Sequence, residues 1–82
     1  MTGVEKENAE AIAVITTALA DAVKANDRDI IRQAGEDLNK LGGVDLMGRV
    51  LDEVAKSYDD PEYGRVCSII DHAWDRIGDW LA

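Results

Sequence analysis

Few side chains in this sequence could do chemistry. Cys67 is the only thiol and His72 the only imidazole, so a cysteine nucleophile served by a histidine base would have to use this pair. Both lie in a stretch of helical periodicity, where a separation of five residues turns two side chains roughly 140° apart. That spacing directs Cys67 toward a core and His72 toward solvent, out of hydrogen-bond reach of each other within one chain. Cys67 therefore reads as a small core residue and His72 as a surface histidine.

Asp71, Asp75 and Asp79 recur every four residues and would share one flank of a helix, the pattern nearest to a metal or acid–base constellation. Helical metal sites, however, combine a histidine with carboxylates on one face and take further ligands from a second helix. His72 would stand about 100° from Asp71, and no other helical segment offers an inward carboxylate pair. Asp59-Asp60-Pro61-Glu62 is acidic but lacks the alternating ligands and central glycine of a calcium loop. The sequence also has no phosphate-binding glycine loop, no Ser/His/Asp set and no basic strip with interleaved aromatics. It gives no catalytic, cofactor or metal residue, and enzymatic activity is not expected.

Trp74 and Trp80 carry more weight, because tryptophan is costly to leave wet and concentrates binding energy at interfaces. Trp74 reads as a core anchor and Trp80 as a packing or interface residue. In a weaker alternative, Trp80 with Asp75 and Asp79 frames a pocket for an organic cation held against the ring face.

The elements that must position these residues follow from apolar spacing. Eighty-two residues leave room for one domain, and a hydrophobic fraction of 46% beside 32% charged residues is that of a folding chain rather than a disordered one. Thr2-Gly3-Val4-Glu5 has the spacing of a capping box, and Ile12, Ile15, Leu19 and Val23 then repeat at three and four residues to about residue 25. Ala11, Val14, Ala18, Ala22 and Ala25 make a second stripe beside the first, leaving this helix apolar over about half its circumference. Asn26 and Asp27 are caps for a second helix with Ile30, Ile31, Ala34, Leu38 and Leu41 on one face. Gly42-Gly43 stops it, and Met47, Val50, Leu51, Val54 and Tyr58 line a third. Asp60-Pro61 starts a fourth, whose face of Tyr63, Val66, Cys67, Ile70, Trp74, Ile77 and Leu81 is widened by Ile69, Ala73 and Trp80.

The expected fold is therefore all-α: a compact four-helix domain of two αα-hairpins, with helices over about 4–25, 27–41, 45–58 and 61–81. The breadth of the first and last helices predicts self-association, with Ile12, Ile15, Leu19, Val23, Ile69, Trp74 and Trp80 at the interface. A formal charge of −8 repels nucleic acid and anionic lipid, and admits a basic protein partner. No run of about 18 uncharged apolar residues is present to span a membrane, and the first residues lack a secretory pattern, so a cytoplasmic location is expected. The single cysteine agrees. The leading functional expectation is a non-catalytic interaction module that forms a homodimer or higher oligomer. The rivals are a binding protein for a cationic or amphipathic small molecule and an acidic decoy of a nucleic-acid-binding protein.

Overall fold

The computed structural model describes residues 2–81, with side chains from residue 8 onward. It is all-helical, with no strand among the described residues, and holds three helices: α1 (Thr2–Ala25), α2 (Arg28–Ala55) and α3 (Glu62–Ala73). The expected exchange between the Thr2 and Glu5 side chains lies outside the described residues.

The α1–α2 junction is short because local hydrogen bonds close it completely. Asn26 adopts a left-handed φ of 55°, its amide bonds the Val23 carbonyl at 3.2 Å, and the Asp27 amide bonds the Ala22 carbonyl at 2.8 Å. This is a Schellman ending, with asparagine where glycine is more usual. Asp27 then caps α2, its carboxylate accepting the Ile30 amide at 3.3 Å. Of the two expected caps, one starts α2 and the other terminates α1.

Four helices were expected where three are present. The Gly42-Gly43 break appears as a kink inside α2: Gly43 alone leaves helical backbone, at φ 68° and ψ −162°, a region open essentially to glycine. Val44 resumes helical structure at once, so the two segments join through Gly43 with no further loop residue between them. The second segment stops at Ala55 rather than at residue 58, where the Lys56 amide bonds Asp52 and the Ser57 hydroxyl bonds the Val54 carbonyl. Pro61, not Asp60, occupies the N-cap position of α3, and no side chain caps it.

The largest departure is at the C-terminal end. Periodicity carries the last helix to residue 81, but α3 stops at Ala73 and residues 74–80 form successive turns. Arg76 and Gly78 take positive φ values of 69° and 55°. Amide bonds from Ile77 to the Trp74 carbonyl, from Trp80 to Ile77 and from Arg76 to Trp80 lock these turns. From α2, Arg32 reaches the freed carbonyls, its Nη1 lying 2.9 Å from Ala73 O and 3.1 Å from Asp75 O. A cation at these carbonyls satisfies acceptors that the helix leaves open and complements its dipole.

Leu19, Ile31, Leu38, Met47, Ile70 and Trp74 are the largest fully buried side chains, so every helix and the turn after α3 contribute to one core. Among the described residues no polar or charged side chain is buried. The contribution of α1 is small: only Leu19 and Ala22 of its described residues are buried, with Ile12, Ile15 and Val23 packed at the margin. Among the described residues no helix is long and apolar enough to cross a membrane.

Candidate functional site

The two tryptophans meet because the chain turns after α3. Trp74 is wholly buried, and its indole N–H donates to the Ile31 carbonyl at 2.7 Å. Trp80 folds back over it edge-to-face, with ring centroids 5.1 Å apart and planes at 83°, an arrangement that suits the aromatic quadrupoles. The Trp80 N–H donates to Asp71 Oδ1 at 2.8 Å, and its ring lies beside Gly48 of α2. The weaker alternative sets Asp75 and Asp79 beside Trp80 around an organic cation, but with the helix ended at Ala73 the three aspartates no longer share one flank. Asp71 takes the indole N–H, the Asp75 carboxylate lies 3.9 Å from Arg76 Nε, and Asp79 is exposed.

Leu19 and Trp74 need correction as interface residues. Both have no exposed surface and are covered by their own chain. Ile12, Ile15, Val23, Ile69 and Trp80 are half-buried at the rim of the core. Among the described residues the exposed large apolar side chains are Val14, Ile30, Leu41, Tyr63 and Leu81; of these, Val14 (69% exposed) and Ile30 (47%) are joined by a groove between α1 and α2 through Ile15, Ala18 and Ala34, with Gln33 and Asp37 at its edge. Helical geometry explains Val14, which stands roughly 140° from the Leu19 direction. Of the second stripe of α1, Val14, Ala18 and Ala25 lie on the outer surface, while Ala22 joins the core.

No family model, curated protein or solved structure matches this chain.

Cys67 is half-buried and His72 exposed, one on each side of α3 as their spacing requires. Cys67 neighbours Tyr63, one turn earlier, and the charge the thiol acquires on ionisation pushes the Tyr63 phenol above its ordinary range. A hydrogen bond to the same thiol and the nearby Asp52 add to the effect. His72 Nδ1 lies 2.8 Å from the Ser68 carbonyl, which can only accept, so Nδ1 carries the proton in that contact and Nε2 is left facing outward. Among the described residues no group of three or more His, Cys, Asp or Glu side chains could hold a metal ion.

A second recess was not legible in the sequence. Arg65, Ser68, Ile69 and His72 fall at i, i+3, i+4 and i+7 along α3, and face the turn that carries Asn26 and Arg28. The resulting cleft of about 400 Å³ has no carboxylate in its lining. Charge counted over the whole chain conceals this local excess of cations.

Proposed function

We propose that this protein is a non-catalytic interaction module that self-associates through the outer face of α1 and the first turns of α2. The observation that carries the reading is the pair of exposed side chains Val14 and Ile30, which flank one apolar groove. Ala13 and Ala18 beside Val14 are small enough for another helix to approach closely. A symmetric pair of copies would cover both grooves with the same residues on each side. Asp21 and Asp37 at the rim add repulsion between copies that each carry a charge of −8, so association should strengthen as salt screens it.

Sedimentation equilibrium at micromolar to sub-millimolar protein tests the reading. A dimer is expected, favoured by added salt and dissociated by Val14→Glu or Ile30→Glu. Because both positions are exposed, these variants should keep the helical content and cooperative melting of the parent. A species that stays at 8.9 kDa across that range would overturn the reading.

A further inference from the structure

We infer that the cleft between the α1–α2 turn and α3 is a binding site for the phosphate group of a small phosphorylated molecule. The chain holds 17 acidic against 9 basic residues, yet the cleft gathers Arg28, Arg65 and His72 and excludes every acidic side chain from its lining. Arg32, Lys56 and Arg76 each stand within ion-pair distance of a carboxylate, whereas neither Arg28 nor Arg65 has such a partner among the described residues. Asn26 and Ser68 add an amide and a hydroxyl that can donate to an anion beside the two guanidinium groups. Ile69 supplies an apolar wall for the rest of the ligand.

The backbone fixes this donor set in place. The left-handed Asn26 turns the chain sharply enough to bring Arg28, the first residue of α2, over the α3 stripe. His72 is oriented by its contacts with Ser68, Nδ1 lying 2.8 Å from the Ser68 carbonyl and 3.3 Å from its hydroxyl. Two guanidinium forks match a tetrahedral phosphate of charge near −2 better than a carboxylate, which one fork satisfies. The volume of about 400 Å³ is that of a small-ligand pocket. A polyanion would also meet the surrounding acidic surface, so the site favours a small phosphate ester over nucleic acid.

The site is separate from the α1–α2 groove, and its test is independent of self-association. Amide NMR spectra of the intact chain should be recorded during titration with inorganic phosphate and pyrophosphate at constant ionic strength. Saturable shifts are expected at Asn26, Arg28, Arg65, Ser68, Ile69 and His72. Arg28→Gln and Arg65→Gln, at exposed positions outside the core, should each weaken binding roughly tenfold with an unchanged melting temperature. An absence of saturable shifts, or shifts that persist in the double variant, would overturn the assignment. So would a short single-stranded oligonucleotide that binds there more tightly than pyrophosphate.

Discussion

The indole N–H of Trp74 bonds the Ile31 carbonyl at 2.7 Å because Gly35, one helical turn later, has no side chain to obstruct the ring. A methyl group at position 35 would overlap Cδ1, Nε1 and Cε2 of that indole. The ring cannot easily yield, being tied to α2 by its hydrogen bond and bounded by Trp80.

Gly35→Ala should therefore destabilise the protein despite alanine's better helix propensity. Overpacking costs about 1–3 kcal/mol and the propensity gain offsets at most about 1, leaving a net loss of roughly 1–2 kcal/mol by urea denaturation. A smaller indole substitute should relieve the clash. In a Trp74→Leu background the added cost of Gly35→Ala should shrink or change sign, and a cost that stays constant would show the clash is not with Trp74.

Arg76→Gly should have the opposite effect. Arg76 holds a φ of 69° with its side chain 85% exposed, and its contact with Asp75 is long at 3.9 Å. Left-handed backbone costs a non-glycine residue about 1–2 kcal/mol, while glycine's extra freedom in the unfolded chain takes back about 0.5–1. A gain of roughly 0.5–1 kcal/mol is expected, read as a rise of a few degrees in melting temperature. The amide that bonds the Trp80 carbonyl survives the change.

Tyr63 provides a pH-dependent test. A thiol ordinarily ionises before a phenol, so charge at Cys67 opposes formation of a second anion one turn away. Tyrosinate absorbance near 295 nm, followed in a Tyr58→Phe background, should rise at higher pH than for free tyrosine. Cys67→Ala should move that rise back to lower pH, and Asp52→Asn should move it less far in the same direction. A phenol that titrates at or below the free value in the presence of Cys67 would contradict the placement of these side chains.

What the sequence could disclose was decided by range. Asp27 as a cap, Gly43 as a break and Ile31, Leu38, Met47, Ile70 and Trp74 as core depend on spacing within one or two helical turns, which periodicity records. The end of α3 depends on Arg32 reaching the carbonyls of Ala73 and Asp75 from another helix, and on Trp80 closing onto Asp71. Ile77 and Leu81 continue the helical spacing past the true end, so nothing local marks it except Gly78, whose positive φ sets it close to the Asn39 side chain. The cleft between the α1–α2 turn and α3 is illegible in the sequence for a similar reason. Its α3 stripe lies in one pattern, but Arg28 belongs to a different helix, and only the Asn26 turn brings the two together.

The core is shared unevenly among the helices. Only Leu19 and Ala22 of the described α1 residues are buried, and α1 is held chiefly along α2, with Ile12, Ile15 and Val23 packed against the core's edge. The backbone amides of α1 are expected to exchange faster than those around Met47, Ile70 and Trp74, whose side chains are fully buried. Any second copy that covers Val14 would slow exchange along α1 first, so amide protection there is a direct gauge of assembly.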